Sequence, residues 1–234
     1  MNPAIIIPVY NHGNQIGEVV RQAQQLGLAI FAVNDGSTDS TPEVLATIDG
    51  IDHLRHPVNQ GKGAALLTGF AVARAKGHDW AVTLDGDGQH NPEDARALLL
   101  AVQEGERCII IGRRQGMENN VNVPWTSRFG RGFSNFWVWA AGGPLLADSQ
   151  SGFRLYPLPE ALRLDVRARR YQFEVEILVK ARQEGISVRE VPVQVVYQAK
   201  GTRVSHFQPW LDFRRNAITF NRLIWDRIFR MLRR

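Results

Sequence analysis

The segment "TLDGDGQH", residues 83–90, sets Asp85 and Asp87 one glycine apart directly after the apolar run Trp80–Leu84, with Gln89 two residues further on. Two carboxylates at i and i+2 around a glycine can both turn toward one point at a strand end. Hard divalent cations such as Mg2+ or Mn2+ take oxygen ligands, usually one or two carboxylates completed by water and substrate phosphate. Asp85, Asp87 and Gln89 are therefore chemically sufficient for a shared metal and diphosphate site. The competing reading is local, because glycine and aspartate make tight turns with no ligand at all. The elements around them must decide.

Five short apolar runs, Ala4–Val9, Ala29–Asn34, Ile51–Arg55, Trp80–Leu84 and Cys108–Gly112, alternate with helix-like segments at about 14–26, 40–48, 62–76 and 92–104. Asp39 or Ser40 can cap the second helix. Asn91 can cap the fourth, with Pro92 at its first position and Glu93 and Asp94 at its positive end. This rhythm predicts an α/β fold, a mostly parallel sheet with helices on both faces. Ligands of such sheets bind beyond the carboxyl ends of the strands. Here those ends read "PVYNHG", "NDGSTDS", "LDGDGQH" and "GRRQG", which together point to one crevice.

After Gly112 the rhythm breaks. Residues 113–125 read as a loop, 126–141 as an aromatic-rich helix, Phe173–Gly185 as a helix ending at glycine, and "SVREVPVQVVY" as a strand that Pro192 places at an edge or bulge. Residues 199–206 read as loop and 207–232 as a final helix. In "FWVW", residues 136–139, a core role is favoured over lipid contact. Glu174 and Glu176 cannot share a helix face, and for at least one a solvent or salt-bridge role is favoured over catalysis.

The chain has 234 residues, 44% hydrophobic and 22% charged, as expected of a protein with a sizeable core. Its single cysteine, Cys108, lies in an apolar run, which suits a buried thiol and a reducing compartment. The opening "MNPAIIIPVYN" does not read as a signal peptide. The net charge of +5 is carried by residues 207–234, which hold seven arginines and two aspartates, so the remainder is balanced. A nucleic-acid partner is disfavoured, since that would want basic residues spread over a docking face. "GKG" at 61–63 lacks the rest of a phosphate loop, no G-x-G-x-x-G follows the first strand, no H-E-x-x-H or cysteine pair offers zinc ligands, and no G-x-S-x-G is present.

"IIIPVYN" at 5–11, "VNDGSTDST" at 33–41, "NQGKGAAL" at 59–66, "LDGDGQHNPED" at 84–94 and "GRR" at 112–114 occur in that order. They resemble the motifs of inverting glycosyltransferase family 2. "DSQSGFRLYP" at 148–157 and "FEVEILVKARQEGISVREVPV" resemble its dolichyl- and polyprenyl-phosphate mannosyl- or glucosyltransferase branch. The resemblance implies the Rossmann-like GT-A fold over residues 1–206. It implies a UDP- or GDP-sugar donor, a lipid-linked phosphate acceptor, and Mg2+ or Mn2+ held by Asp85, Asp87 and Gln89. Pro8 and Tyr10 would line the base pocket, Asp35 would hydrogen-bond the base, and Lys62 would approach the nucleotide. Asn34, where the family often has a second aspartate, keeps an acceptor atom without the charge.

Breaking the sugar–phosphate bond would put charge on the leaving diphosphate, which a metal and a cationic side chain offset. Arg113, Arg128 and Arg203 are the candidates for an acceptor phosphate. The resemblance makes Asp148 the candidate base, with orientation of the acceptor, or a plain cap or turn role, as alternatives. Two other functions remain open: transfer to a sugar or glycolipid hydroxyl, and a non-catalytic nucleotide-sugar-binding membrane adaptor. The segment 207–234 is expected to form a basic amphipathic helix lying on an anionic membrane surface, which would make the protein cytoplasmic and peripherally attached. The alternative is a helix packed on the body.

Overall fold

In the computed structural model the described residues are 1–116, 125–195 and 209–232, the side chains of 125–129, 209–213 and 230 excepted. Strands β1 (Pro3–Val9), β2 (Ala29–Asn34), β3 (Asp52–Arg55), β4 (Trp80–Thr83), β5 (Cys108–Arg114), β6 (Arg154–Pro157) and β7 (Ser187–Val193) form a seven-stranded sheet in the order β3-β2-β1-β4-β6-β5-β7. β6 runs antiparallel to β4 and β5, and the remaining pairs are parallel. The helices are α1 (Gly13–Gln24), α2 (Thr41–Ala46), α3 (Lys62–Ala75), α4 (Ala95–Leu100), α5 (Trp125–Ala140), α6 (Leu158–Arg163), α7 (Phe173–Gln183) and α8 (Pro209–Leu232).

The apolar run of β1 is continuous because both faces of the strand are covered. Alternate residues then enter different cores. Ala4 and Ile6 pack with Phe31, Phe70, Tyr156 and Phe173 under α3, α6 and α7. Ile5, Ile7 and Val9 pack with Ile16, Val20, Trp80 and Leu98 under α1 and α4. The expected fold, a mostly parallel sheet with helices on both faces, is the one observed. Pro192 lies on β7, the last strand of the sheet, where a missing N–H costs least.

Three details differ from the periodicity. The segment after Asn91 starts as a 3-10 turn, Pro92–Asp94, and α4 ends at Leu100; Asn91 does cap it, its Oδ1 accepting from Glu93 N at 3.1 Å. β5 runs on to Arg114, two residues into the segment expected to be loop. β6 arises from the "FRLYP" piece, whose leading arginine concealed a fully buried strand. Most of the first expected loop, 117–124, and all of the second, 199–206, lie outside the described residues.

α8 packs through Phe220 and Leu223, both buried. Phe220 stacks on Trp137 of α5 with ring centroids 6.2 Å apart. Arg222 pairs with Glu176 of α7 at 2.6 Å, and Arg227 Nη1 donates to Ala140 O at 2.7 Å. The opposite side of the helix exposes Ile218, Trp225, Phe229 and Leu232. No helix among the described residues is long and apolar enough to cross a membrane.

Candidate active site

β1 is hydrogen-bonded to β2 on one side and β4 on the other, so the chain's strand order reverses between β1 and β4. A crevice opens at such a switch point, beyond the carboxyl ends of the strands. The loops after β1 and β2 are joined into one platform there. Asn11 takes a left-handed backbone, φ 54°, and its Oδ1 accepts from Thr38 N at 2.8 Å while its own N–H donates to Ser37 Oγ at 2.9 Å. Asp39 accepts from both Gly13 N and Thr41 N at 3.0 Å, tying the first residue of α2 to the start of α1, while Ser40 at the N-cap position makes no side-chain cap bond.

Asp35, buried at the end of β2, holds the turn into α3. Its Oδ1 lies 2.7 Å from His56 Nδ1 and accepts from Gln60 N at 2.9 Å; its Oδ2 accepts from Gly61 N at 2.7 Å. A carboxylate has about four acceptor positions, so one is left. Beside it, Asn34 is wholly buried and its Oδ1 accepts from Ser37 N at 2.9 Å, but its Nδ2 has no hydrogen-bond partner among the described residues.

The turn after β4 carries the aspartate pair. Gly86 is buried, and a Cβ there would lie 3.2 Å from Val9 Cγ2 and 3.4 Å from Ile16 Cδ1. The two flanking aspartates are half-buried. Asp85 Oδ1 meets Lys62 Nζ at 2.6 Å, and Lys62 Nζ donates to Glu174 Oε1 at 2.5 Å. Burial alone would raise the Asp85 carboxyl, but the Lys62 charge outweighs it and holds the group below the usual range. Burial likewise opposes the Lys62 charge, and Asp85 and Glu174 overcome it, raising the ammonium well above its ordinary value. Asp87 goes the other way: burial, then the neighbouring Asp85 charge, push it up. Gln89 steadies Asp87 with N–H···Oδ1 at 3.1 Å and Nε2–H···Oδ2 at 2.6 Å. His90, stacked on Phe153 at 5.1 Å, is pulled down to about 4 by burial and is neutral at pH 7.

Asp148 is fully buried and gripped by Arg114. Its Oδ2 accepts from Arg114 Nε at 2.8 Å and Arg114 N at 3.2 Å, and its Oδ1 accepts from Arg114 Nη2 at 2.8 Å. Burial would raise its carboxyl, but this fork overrides burial and lowers it, with a further contribution from Arg131. Glu190 accepts from Asp148 N at 2.8 Å, and Asn135 of α5 binds Ala147 O and Ser149 N, so the 147–149 backbone is fixed on both sides.

The sequence profile of "Glycosyl transferase family 2" matches residues 4–158, the span that builds all of these strand ends. The chain belongs to glycosyl transferase family 2, and it is a glycosyltransferase. It is 30% identical over 224 residues to the UDP-N-acetylglucosamine--dolichyl-phosphate N-acetylglucosaminyltransferase of Methanococcus voltae, covering 86% of this chain and 89% of that one. It is 30% identical over 204 residues to the polyprenol monophosphomannose synthase of Mycolicibacterium smegmatis, covering 81% and 75%. Among solved structures, the mannosyl-3-phosphoglycerate synthase of Rubrobacter xylanophilus superposes with a TM-score of 0.67 over 100% of this chain and 76% of that one. At 17% identity that likeness shows the shared fold.

In this glycosyltransferase, Pro8 is buried near the end of β1, opposite Val33, and Tyr10 is half-buried just beyond the strand, whose last residue, Val9, lies opposite Asn34. Lys62 and Asp85 meet directly, and Asp87 and Gln89 follow on the same turn. Arg113 is exposed, and the arginine that reaches Asp148 is its neighbour Arg114, on the other face of β5. Arg128 lies in α5 with its side chain undescribed, and Arg203 lies outside the described residues. Sequence reasoning passed over Glu174, Gly152 and Arg154 as site residues. A Cβ at Gly152 would lie 2.4 Å from Lys62 Nζ, 2.7 Å from Asp85 Oδ2 and 2.8 Å from Glu174 Oε1, so only glycine leaves room for that cluster. Arg154 is wholly buried and donates to Ser151 O, Ser149 O, Glu174 O and Tyr156 Oη, clamping the 149–152 loop to α7. The signal for all three was the "DSQSGFRLYP" and "FEVE" segments, which carry no local hint of their partners.

Proposed function

We propose that this glycosyltransferase transfers a sugar, with inversion, from a UDP- or GDP-linked donor to a polyprenyl phosphate at a membrane surface, with Mg2+ or Mn2+ at Asp85 and Asp87. The observation that carries the donor site is the turn that sets two half-buried aspartates on either side of Gly86, one of them raised by burial and then by the charge of the other. Two anions so placed, with the Gln89 amide beside them, fit a hard divalent cation. Asp85 and Asp87 would hold it by carboxylate oxygens, with Gln89 beside them. When bound, the cation supplies Lewis acidity to the leaving diphosphate.

The chain's own groups account for the remaining requirements. Pro8 and Tyr10 would flank the base, the last acceptor position of Asp35 suits a uracil or guanine N–H, and the spare Asn34 Nδ2 suits a base carbonyl. Lys62 brings positive charge toward the diphosphate. On the acceptor side, Asp148 favours a phosphate over a hydroxyl. A carboxylate depressed by a bidentate arginine is a poor proton acceptor, whereas a lipid phosphate is already an anion and needs positioning by cations such as Arg113, Arg128 and Arg203. The names of the two relatives, one a dolichyl-phosphate and one a polyprenol enzyme, support the same acceptor. Incubation with UDP- and GDP-sugars, Mn2+ and a polyprenyl phosphate is expected to yield a sugar-loaded lipid. Loss of no sugar from any donor would overturn the reading, and product on sugar hydroxyls alone would replace its acceptor.

For the membrane, α8 supports both sequence alternatives at once: one side packs on the body and the other is apolar and open. Ile218, Trp225, Phe229 and Leu232 recur at helical spacing, and Phe136 and Trp139 of α5 are exposed as well. Trp139, Leu145, Arg227 and Met231 share the walls of an open groove of about 340 Å³ where α5, the end of α7 and α8 meet. The double substitution Trp225→Ser, Phe229→Ser spares the buried Phe220 and Leu223. It is expected to weaken sedimentation with anionic vesicles by about tenfold or more, from the apolar area withdrawn from lipid. Unchanged sedimentation would mean that α8 does not face the bilayer.

A further inference from the structure

We propose that Lys62 is a built-in counter-ion that shuttles between Asp85 and Glu174, and that Glu174 is a positioning residue which frees Asp85 for the divalent cation. The inference rests on the metal reading of Asp85 and Asp87 above and adds to it a residue from a distant part of the chain.

The geometry is a three-body bridge. One ammonium touches Asp85 Oδ1 at 2.6 Å and Glu174 Oε1 at 2.5 Å at the same time. The lysine side chain is 17% exposed and that of Glu174 9%, so both charges are largely withdrawn from water. An incoming divalent cation and the ammonium compete for the same Asp85 oxygens, because two positive charges on one carboxylate repel. Lys62 can yield only if its charge remains matched elsewhere, since a buried charge left alone is costly. Glu174 is already in contact, so the exchange needs the loss of one bond and no new one. The space beside Nζ is kept open by Gly152, whose missing side chain would otherwise sit 2.4 Å from it. Glu174 itself is held from behind: it opens α7, is buried, and its carbonyl accepts from Arg154 Nη1 at 2.7 Å.

The test is Mn2+ binding without nucleotide, read by electron paramagnetic resonance titration of the full chain. Lys62→Met removes the competitor and is expected to tighten Mn2+ by about fivefold or more. Glu174→Gln, which keeps shape and hydrogen bonding, commits Lys62 to Asp85 and is expected to weaken Mn2+ by a similar factor. The decisive measurement is Glu174→Gln in the Lys62→Met background, where the effect is expected to vanish because no ammonium remains to be parked. A residue that merely supports the fold, or that touches the metal, would weaken binding equally in both backgrounds, and that result overturns the proposal. So does Lys62→Met with unchanged or weaker binding. If wild type binds no Mn2+, or Asp87→Asn binds it as well as wild type, the metal reading itself falls and the exchange falls with it.

Discussion

Asp87→Asn is expected to abolish Mn2+-dependent binding of UDP or GDP and to lower sugar transfer by about 10³-fold or more, while leaving the ligand-free fold at least as stable as before. The two halves of this result have one cause. Asp87 is raised by burial and by the Asp85 charge beside it. A carboxyl whose folded pKa lies above its unfolded value makes the folded state bind the proton more tightly. Stability contributed by that proton is present at low pH and is lost as pH rises through the folded pKa. At pH 7 the ionised Asp87 therefore works against folding, and removing its charge relieves the strain. Asparagine keeps an acceptor for Gln89 N, and Gln89 can turn its amide so that Oε1 accepts from the new Nδ2, so the turn is retained. Thermal unfolding with and without Mn2+ checks both halves: wild type should gain stability from the ion, and the variant should start level or higher and gain nothing. Equal stabilisation of the two proteins by Mn2+ would remove Asp87 from the metal site.

Arg114→Met is expected to cost about 3–5 kcal/mol of folding stability at pH 7, because it leaves the wholly buried Asp148 without its counter-ion. For a chain of this size that is a fall in Tm on the order of 10 °C. The pH dependence gives the mechanism. In the wild type Asp148 is depressed, so the pair stabilises above the unfolded pKa and this is lost only as pH falls through the lower folded value. In the variant, burial without the arginine raises the same carboxyl, and protonation relieves it. The deficit against wild type should therefore shrink between pH 7 and pH 4.5 in urea unfolding, and a constant deficit would assign the loss to packing instead. Arg114→Lys should recover part of the stability only, since one ammonium cannot reproduce two parallel N–H···O bonds to one carboxylate.

Much of the site was legible because each piece is local. An apolar run ending in a glycine-interrupted polar cluster is a strand end, and four in succession mark one side of a parallel sheet. The donor chemistry of "LDGDGQH" suffices for a divalent cation, but a plain turn fits it equally well, and only its place at a strand end beside the other polar ends favours a ligand. Arg113 and Arg114 shows where such reading stops. In "GRR" the two arginines are equivalent, and the pleat of β5 separates them, exposing Arg113 and turning Arg114 onto Asp148. Glu174 and Glu176 were correctly kept off a shared face, yet both are buried. Glu174 reaches Lys62, and Glu176 accepts from Arg167 N and Ala168 N and pairs with Arg222.

What the sequence determined by itself is the alternation of the first five strands with four helices, the family, and the turn on which Asp85 and Asp87 stand, since periodicity, capping and turn chemistry act within a few residues. The tertiary structure decided which charges meet. Lys62 and Glu174 are 112 positions apart and Arg114 and Asp148 34 apart. No local rule links such pairs, because their energy comes from burial beside one another, and burial is a property of the packed sheet and helices rather than of any segment.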